Sequence, residues 1–529
     1  MKQKALLLSV SLLAAGSSLT LQVNAQKVKR PNVLFVLYDD LNDWVLHPDG
    51  HPKSITPNMD RLRQRSISFN NTHAMIPVCG ASRASLFSGM YPMTTGVWEF
   101  GEWQKNPILK NSVPLPLQFL NNGYEVYGVG KTLHEGAGGD FYTEYGTGPN
   151  YGPWPWKGKG HASYTPEPTQ YKKWIPYLPE QMHRDLNYGP LSNIPVWEAD
   201  STNKIPGAKG WFSEEASLKK ITPFRYVTDD DRDAMPDEIS AEWAVKVLNR
   251  KHNTPFYLNV GFMRPHTPLY VPKKYYDMFP IDKITLPPYK KNDLDDCAKV
   301  LRNRWQWGHQ KFDALIKAGG ERAWKEWVQA YLASIAFADD QLGKLMAAMD
   351  ANGYWDNTIV IMTSDNGYHV GEKNVIQKWH LWNESTRVPL FISIPQNVGK
   401  GAVCTHPVSL IDIYPTLLNL CSLPVNPNKG RSNLPLNGHS LYPFLIDPKT
   451  NKWDGPSVAL MCIKDANQPT NFSVVSERYR YTLCGNGEEE MYDHLKDPNE
   501  WTNLAMNPKY EKMSIQLRKE LKEIIESNR

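Results

Sequence analysis

The chain has 529 residues, of which 41% are hydrophobic and 22% are charged, and its formal net charge is +4. These values are typical of a folded protein with one very large domain or several smaller ones, and they exclude a disordered chain. Because the net charge is small for this length, the composition gives no indication of a nucleic-acid-binding protein.

The N-terminus predicts an exported protein. The basic start MKQK precedes the apolar stretch ALLLSVSLLAAG, and the small-residue sequence VNA ends at Ala25, before Gln26. This order is typical of a secretory signal peptide, which would cover residues 1–25. No later segment reaches the roughly 20 apolar residues of a membrane span. We therefore expect a periplasmic or secreted protein without a membrane span.

Continuous apolar runs alternate with helical patterns along most of the chain. The runs NVLFVLY, EVYGVG, PFYLNVGF, TIVIMTS and PLFISI have the length of strands, and helices are predicted over 236–250 and 321–350. Such alternation predicts an α/β fold with a mostly parallel sheet that is covered by helices on both faces.

The pattern changes after about residue 450. Short strands separated by turns predict an antiparallel sheet, and KYEKMSIQLRKELKEIIES predicts an amphipathic closing helix. We therefore predict a catalytic domain over 26–450 and a smaller α+β subdomain over 451–529. The stretch 136–235 is rich in Gly, Pro, Tyr and Trp and predicts a long insertion with substrate loops.

Two pairs of oxygen ligands follow predicted strands. Asp39 and Asp40 come directly after NVLFVLY, and Asp365 and Asn366 come directly after TIVIMTS. The carboxyl ends of strands in an open parallel sheet form the crevice where ligands bind, and adjacent buried carboxylates are costly without a cation. An all-oxygen set suits calcium or magnesium better than zinc. Either pair alone could instead cap a helix or form a turn.

Basic residues follow other predicted elements in a similar way. They are Lys131 and His134 after EVYGVG, Arg264 and His266 after PFYLNVGF, and Lys378 and His380 downstream of the Asp-Asn pair. A single basic residue in a loop is usually only solvated. Several of them, near strands that also carry carboxylates, indicate an anion held over a metal.

Cys79 lies at the expected start of a helix, GASRASLFSGM, where free N–H groups and the helix dipole favour an anion. Arg83 is four residues later, on the same helical face. A plain thiolate at this position would be an acyl or redox nucleophile. However, the soft sulfur matches poorly with a hard cation bound by oxygen atoms.

The other five cysteines are spread along the chain. Four of them come late in the sequence and could pair, since disulfides are common in exported proteins. The five are Cys297, Cys404, Cys421, Cys462 and Cys484. If Cys79 has a chemical role, at least one of these five must be a free thiol.

The stretch C-G-A-S-R resembles the sulfatase signature: Cys or Ser, any residue, Pro or Ala, Ser, Arg. In that family the first residue is oxidised to formylglycine. The resemblance continues in family order through PNVLFVLYDDLND, TPNMDRL, GKTLH, RPHTP, SDNGYHVGE and MYDHLKDPNEWTNLA, and it covers nearly the whole mature chain. GKTLH followed by RPHTP is most similar to the iduronate-2-sulfatase branch, which usually has KPH where this chain has Arg264.

The resemblance implies an alkaline-phosphatase-like fold and a calcium-dependent sulfatase. The implied Ca²⁺ ligands are Asp39, Asp40, Asp365, Asn366 and the modified Cys79. A formylglycine hydrate would attack sulfur and form a covalent sulfate hemiacetal. The other implied roles are activation of the hydrate by Arg83, contact with hydrate and sulfate by Lys131, a base at His134, a general acid at His266, and substrate contacts by His266, Lys378 and Arg264. His369 and His380 would be possible pocket lining.

The implied substrate is a sulfated sugar or oligosaccharide, such as a glycosaminoglycan or other polysaccharide fragment, with a 2-O-sulfated uronic acid as one candidate. The implied partner is a formylglycine-generating or anaerobic maturation enzyme. Two alternatives stay open: a phosphomonoester or phosphonate hydrolase of the same superfamily, and a catalytically dead sugar-binding homologue. The second would be marked by the loss of the nucleophile, the carboxylates or the basic residues, all of which are present.

Overall fold

The computed structural model describes residues 30–49, 52–134, 139–155, 188–194, 211–215, 220–303, 306–395, 399–464 and 468–528. The predicted signal peptide lies outside these residues, and so does most of the predicted insertion at 136–235. Among the described helices, none has the length and apolar character needed to cross a membrane.

The described strands form a central sheet of eight strands, a C-terminal sheet of four and four small sheets. In chain order they are β1 Asn32–Tyr38, β2 Ile67–Phe69, β3 Thr72–His73, β4 Glu125–Gly130, β5 Glu144–Tyr145, β6 Trp154–Pro155, β7 Tyr188–Pro190, β8 Trp211–Glu215, β9 Lys220–Phe224, β10 Phe256–Gly261, β11 Leu269–Val271, β12 Thr358–Ser364, β13 His369–Val370, β14 Ile376–Gln377, β15 Arg387–Val388, β16 Leu390–Ser393, β17 Val403–Cys404, β18 Val408–Ser409, β19 Ala459–Ile463, β20 Asn471–Val475, β21 Tyr479–Leu483 and β22 Glu489–Asp493.

The described helices lie between these strands and after the last of them. In chain order they are α1 Pro57–Arg65, α2 Cys79–Ser88, α3 Pro92–Thr95, α4 Leu115–Leu120, α5 Pro236–Leu248, α6 Lys273–Asp277, α7 Lys299–Arg302, α8 Gln306–Ala351, α9 Asn383–Thr386, α10 Ile413–Leu420, α11 Tyr442–Ile446 and α12 Glu511–Ser527. The two predicted helices correspond to α5 and to the second part of α8. Helix α8 is interrupted at Gly319 and Gly320, so the helix predicted over 321–350 begins directly after the break.

The central sheet has the strand order β17-β2-β16-β12-β1-β10-β4-β5. Strands β12, β1, β10, β4 and β5 pair with one another in parallel. Strand β16 runs antiparallel to both of its neighbours, β12 and β2, whereas β17 is parallel to β2. All strands except β16 therefore run in one direction, and the predicted mostly parallel sheet is confirmed.

The reversal of β16, the predicted strand PLFISI, has a local cause. Thr363 near the end of β12 pairs with Leu390 at the start of β16. Between them the chain forms short elements: β13, a 3-10 turn at Glu372–Asn374, β14, α9 and β15. A parallel pair needs a crossover that returns the chain to the opposite edge of the sheet. Without a crossover, β16 enters from the edge where β12 ended and must run antiparallel.

Successive residues of β1 contribute to two different cores, as expected for a strand buried on both faces. Leu34 and Val36 pack in the core that contains residues of α5 and α8, whereas Val33 and Phe35 pack in the core that contains residues of α2 and α10. Helices therefore cover both faces of the sheet.

The predicted C-terminal antiparallel sheet is present as β19-β20-β21-β22. Its apolar residues and those of α12 belong to the same core as α2 and α10. The C-terminal region therefore packs on the same face of the sheet as α2, the helix that begins at Cys79. The domain boundary near residue 450 stays a prediction.

The disulfides considered from the sequence are not formed, because all six cysteines are free and buried. Several thiols have other partners: Cys297 donates to the Asp293 carbonyl and Cys462 to the Met75 carbonyl, each at 3.5 Å. A chain with two large cores does not depend on covalent cross-links for stability.

Candidate active site

The predicted site residues that follow central strands come together at one edge of the sheet. Strands β1, β4, β10 and β12 are parallel, so their carboxyl ends coincide. The residues at this edge are Asp39 and Asp40 after β1, Lys131 after β4, Arg264 and His266 after β10, and Asp365 and Asn366 after β12. Lys378 directly follows the short strand β14, and Cys79 is the first residue of α2.

Two glycines allow β4 and β10 to approach closely where they end. A Cβ on Gly130, whose φ is +74°, would lie 2.0 Å from the Gly261 carbonyl oxygen. A Cβ on Gly261 would lie 2.1 Å from the Lys131 carbonyl oxygen. Real side chains do not fit at such distances. The Lys131 N–H instead donates to the Gly261 carbonyl at 2.9 Å, which fixes the start of the loop that carries Lys131.

Asp39, Asp40, Asp365 and Asn366 form a fully buried cluster of side chains that carry oxygen atoms. Carboxylate oxygens of the three aspartates lie within 4.8 Å of one another. Oδ1 of Asp39, Oδ2 of Asp40 and Oδ1 of Asn366 are buried without a hydrogen-bond donor. Buried acceptors without donors are costly, and hard oxygen ligands suit Ca²⁺ or Mg²⁺. The residues therefore fit a divalent cation of this kind.

Each carboxylate in the cluster also accepts a hydrogen bond from a positive side chain. The ammonium groups of Lys131 and Lys378 donate to Asp39 and Asp40 respectively. Nε of Arg83 donates to Oδ2 of Asp365 at 2.7 Å.

The three carboxylates have different pKa values because their surroundings differ. Burial raises the pKa of Asp40 to about 6, although Lys378 opposes the shift. Burial also raises the pKa of Asp365, opposed mainly by Arg83. Burial would raise the pKa of Asp39 as well, but Lys131 and the other nearby cations hold it well below its usual range. A bound cation would stabilise the ionised form of all three.

Cys79 begins α2 and is only 2% exposed. Its Sγ lies 3.9 Å from Oδ1 of Asp40 and 2.8 Å from Nζ of Lys378. Burial raises the pKa of the thiol well above its usual value, and Lys378 lowers it only in part. The encoded side chain is therefore a neutral thiol at neutral pH, which disfavours its use as a thiolate nucleophile.

Arg83 connects the ends of three strands. Besides its bond to Asp365, its guanidinium donates to the carbonyl of Lys131, to the carbonyl of Thr132 at 3.2 Å and to the carbonyl of Tyr38 at 3.2 Å. The hydrogen bonds of its guanidinium thus go to the loops that carry the ligands rather than to Cys79. In this geometry Arg83 joins the ends of β1 and β12 to the loop that follows β4.

His266 and His134 both lie close enough to Asp39 and Lys131 to interact with their charges. Nδ1 of His266 donates to the Thr267 carbonyl at 2.6 Å, which leaves Nε2 without the proton and 3.7 Å from Oδ2 of Asp40. Burial lowers the pKa of both histidines well below the usual value. In the structure as it stands, both imidazoles are neutral at neutral pH.

Three aromatic residues near the site were not predicted from the sequence. Phe100 stacks on His134 with ring centroids 4.4 Å apart and contacts Trp379 at 5.8 Å. Tyr151 packs edge-on against His266, with the centroids 5.0 Å apart. Tyr151 belongs to the predicted aromatic-rich insertion, so the composition gave a general signal for it, but no spacing singled it out.

Arg264, predicted to bind substrate, is 1% exposed, and its guanidinium hydrogen bonds go to backbone. It donates to the Gly152 carbonyl at 3.0 Å and to the His266 carbonyl at 3.4 Å. The backbone N–H of Arg264 donates to Oδ2 of Asp237, on the first turn of α5, at 2.9 Å. Burial lowers the pKa of Arg264 to about 10, so it remains charged at neutral pH.

His369 and His380, predicted as possible pocket lining, are almost fully buried. They belong to an aromatic group in which His380 stacks on Trp382 at 4.6 Å and meets His309 at 5.6 Å. Burial lowers the pKa of His369 to about 3, so it is neutral over the whole physiological range. The contacts of both rings are those of core residues.

The loop that carries Lys378 has an unusual backbone conformation. Gln377 and Trp379, on either side of Lys378, have φ values of +96° and +82°. Residues other than glycine rarely adopt such φ values, which persist only when the surrounding structure enforces them. Lys311 of α8 donates to Oε1 of Gln377 at 2.5 Å. This buried contact helps to hold Lys378 in its position.

A protein-family profile covers most of the chain. The family profile described as Sulfatase matches residues 31–423. The chain belongs to the sulfatase family. It is thus a sulfuric ester hydrolase, and the acidic cluster and Cys79 lie in the part of the sulfatase that the family profile covers. A second profile, described as N-sulphoglucosamine sulphohydrolase, C-terminal, matches residues 371–527.

Individual relatives agree with this assignment. The sulfatase is 32% identical over 521 residues to a "Sulfatase" of Formosa agariphila, covering 96% of this chain and 89% of that protein. It is 26% identical over 457 residues to the iduronate 2-sulfatase of Mus musculus, covering 79% and 74% of the two chains. Its fold matches that of a protein solved in complex with its substrate D-glucosamine-2-N,6-O-disulfate, with a TM-score of 0.65 and 19% identity. The match covers 94% of this chain and 97% of that chain.

Proposed function

We propose that this sulfatase hydrolyses sulfate esters of a sulfated carbohydrate, using Ca²⁺ and a formylglycine made from Cys79. The observation that supports the proposal best is the arrangement around Cys79: three buried oxygen atoms without donors lie in the same cluster as its thiol, and Lys378 contacts both the thiol and Asp40. A cation, an oxygen nucleophile and a sulfate group match this set of charges.

Asp39, Asp40, Asp365 and Asn366 would hold the Ca²⁺, together with the modified residue 79. When bound, the ion supplies positive charge that polarises a sulfate oxygen and an oxygen nucleophile. The paired ends of β1 and β12 place the four side chains close together in the protein alone, without a bound ion. Magnesium would suit the same ligands, so metal analysis has to decide between the two ions.

Conversion of Cys79 requires a maturation enzyme, either formylglycine-generating or anaerobic. The hydrated aldehyde supplies an oxygen nucleophile with a second hydroxyl, whose deprotonation allows sulfate to leave. The neutral thiol in the structure supports this proposal, since the encoded residue is a poor nucleophile in its own pocket. The modified residue would also replace a soft sulfur atom by oxygen beside a hard cation.

Lys131, Lys378 and His266 would bind the sulfate group. Their polar atoms lie against Asp39 and Asp40, the ligands of the proposed cation. Donors fixed in a buried site stabilise developing negative charge more strongly than water does.

Two histidines would move protons. Nε2 is the exchangeable nitrogen of His266, since Nδ1 donates to the Thr267 carbonyl. An anionic substrate beside this imidazole would raise its pKa, and Nε2–H could then be transferred to the leaving alcohol. We assign the base that removes the proton from the second hydroxyl to His134, which stacks on Phe100.

Two relatives support a sugar sulfate as the substrate. One is named iduronate 2-sulfatase, and one structural neighbour was solved with a sulfated glucosamine. We therefore propose a glycosaminoglycan or other sulfated polysaccharide fragment, with 2-O-sulfated uronic acid as the first candidate. Such polymers are extracellular, which agrees with the proposed export through a signal peptide at residues 1–25.

The nucleophile is tested by mass spectrometry of protein expressed with a maturation enzyme. The peptide that contains residue 79 should be about 18 Da lighter than the thiol form, and activity should increase in proportion to the converted fraction. Cys79→Ala should be folded and inactive. Full activity in protein that carries only the thiol would refute the proposed mechanism.

The metal is tested by elemental analysis of purified protein and of Asp365→Asn. The wild type should contain one Ca²⁺ per chain, and the variant should lose both metal and activity. Asp412→Asn is the matched control, because Asp412 is also buried but accepts its hydrogen bonds from Ser409 and His439, outside the site. Equal metal content in wild type and Asp365→Asn would remove Asp365 from the ligands.

The substrate is tested with a panel of defined sulfated mono- and disaccharides, with matched phosphate esters as controls. Turnover of a 2-O-sulfated uronic acid at the non-reducing end would support the first candidate. Preference for a phosphate ester over the sulfate ester with the same leaving group would contradict the proposed substrate class.

A further inference from the structure

Tyr151 contacts three of the groups that the proposed function uses. Its hydroxyl is 3.5 Å from Nε2 of His134. Its ring packs edge-on against His266 at 5.0 Å, and the ammonium nitrogen of Lys131 lies 5.0 Å from the ring centroid. An aromatic ring attracts a nearby cation. One side chain thus touches the proposed base, the proposed acid and a proposed sulfate ligand.

The segment that carries Tyr151 is fixed from two directions. The Gly152 N–H donates to the side chain of Asn150 at 2.9 Å. A Cβ on Gly152 would lie 2.6 Å from Oγ of Ser213, so the backbone is closely packed there. The Gly152 carbonyl accepts the hydrogen bond from Nη2 of Arg264.

Arg264 links this segment to His266. One nitrogen of its guanidinium donates to the Gly152 carbonyl and another to the His266 carbonyl. The planar fork of arginine can reach two such acceptors at once, whereas the single ammonium group of lysine cannot do so in the same geometry. The guanidinium of Arg264 therefore joins two loops by hydrogen bonds, the one that carries Gly152 and the one that follows β10.

From these contacts we infer that Tyr151 is a positioning residue for the sulfatase reaction, which orients His134, His266 and Lys131 and is itself held in place by Arg264. This inference rests on the proposed function, because it takes the roles of the two histidines and Lys131 from it. A hydroxyl group can donate and accept, so Tyr151 can stay bonded to His134 in both protonation states of the imidazole.

The inference is tested by steady-state kinetics on an aryl sulfate. Tyr151→Phe removes only the hydroxyl, and we expect kcat to fall about tenfold while KM changes less than about twofold, because one hydrogen bond to the base is lost. Tyr151→Leu also removes the ring and should lower kcat about a hundredfold. Tyr442→Phe, which alters a tyrosine that is 39% exposed on α11, should have wild-type kinetics.

A second comparison uses Arg264→Lys alone and combined with Tyr151→Phe. If Arg264 acts through Tyr151, the two losses in kcat are not additive, and the double variant is close to the more impaired single variant. Fully additive losses would refute the link between the two residues. The unfolding midpoint and the formylglycine content are measured for each protein, so that a loss of folding or maturation is not mistaken for a loss of positioning.

The outcomes separate this inference from the proposed function. Wild-type kcat in a fully converted Tyr151→Phe protein would overturn the role of Tyr151 and leave the proposed nucleophile unaffected. Turnover without formylglycine would overturn the nucleophile, while the ratio of kcat between wild type and Tyr151→Phe would still test the positioning role. A decrease in kcat that matches a decrease in formylglycine content would also refute the positioning role.

Discussion

Replacing Arg83 with lysine tests whether the guanidinium holds the ends of the strands together. Arg83 is fully buried and donates to Asp365 and to the carbonyls of Tyr38, Lys131 and Thr132. A lysine keeps the positive charge, but its single nitrogen can replace only part of this set. The substitution therefore isolates geometry from charge.

The magnitude follows from the hydrogen bonds that lysine cannot make. If the ammonium group keeps its contacts with Asp365 and Lys131, the carbonyls of Tyr38 and Thr132 lose a charged donor. Each such hydrogen bond contributes about 1.5–3 kcal/mol, so Arg83→Lys should lower the free energy of unfolding by about 3–6 kcal/mol. A shift of the ligand loops by about 1 Å would also lower kcat about a hundredfold.

The assay combines urea unfolding with kcat for each folded, converted molecule. Arg232→Lys is the matched control, because Arg232 forms a bidentate pair with Glu238 at 2.7 and 2.8 Å near the start of α5. The control should lose some stability and keep its kcat. An Arg83→Lys protein with wild-type unfolding midpoint and wild-type kcat would refute the structural role that we assign to Arg83.

Three further outcomes are expected. Gly261→Ala should abolish activity, because its Cβ would lie 2.1 Å from the Lys131 carbonyl oxygen. Gly101→Ala should be active, because no atom lies within 4 Å of the Cβ that it adds. In metal-free protein, the destabilisation caused by Lys378→Met should increase between pH 5 and 8. Asp40 has a pKa of about 6 with Lys378 present, so it is protonated at pH 5 in both proteins. Between pH 5 and 8 it ionises, and its ionisation in the folded state costs more free energy once Lys378 is absent. An equal loss in the free energy of unfolding at pH 5 and pH 8 would contradict this. Thiol titration should find almost no reactive cysteine in native protein, and in denaturant all six of the unconverted form.

The part of the site that could be predicted from the sequence is the part that depends on strand direction. Asp39, Asp40, Asp365 and Asn366 follow two apolar runs directly, and parallel pairing of β1 with β12 is sufficient to bring them together. The same holds for Lys131, which follows β4. For these residues a correct fold class also gives the approximate location.

The residues that could not be predicted depend on the path of loops. Tyr151 reaches His134 through the path of the short segment that follows β5, and no periodicity records such a path. Arg264 shows a second limit: its charge and location were apparent from the sequence, but the direction of its side chain was not. The reversal of β16 was missed because an apolar run does not indicate strand direction.

The charges around Cys79 explain why the fold can keep a cysteine there without making it reactive. Lys131, Lys378 and Arg83 contribute three positive charges, and Asp39, Asp40 and Asp365 contribute three negative ones. Because these charges largely cancel at the sulfur atom, burial determines the raised pKa of the thiol. The proposed divalent cation would leave the same site with a net charge of +2, which complements a sulfate ester. The arrangement that keeps the encoded thiol neutral thus becomes complementary to the substrate only after a metal is bound, so binding of the substrate should weaken when the metal is removed.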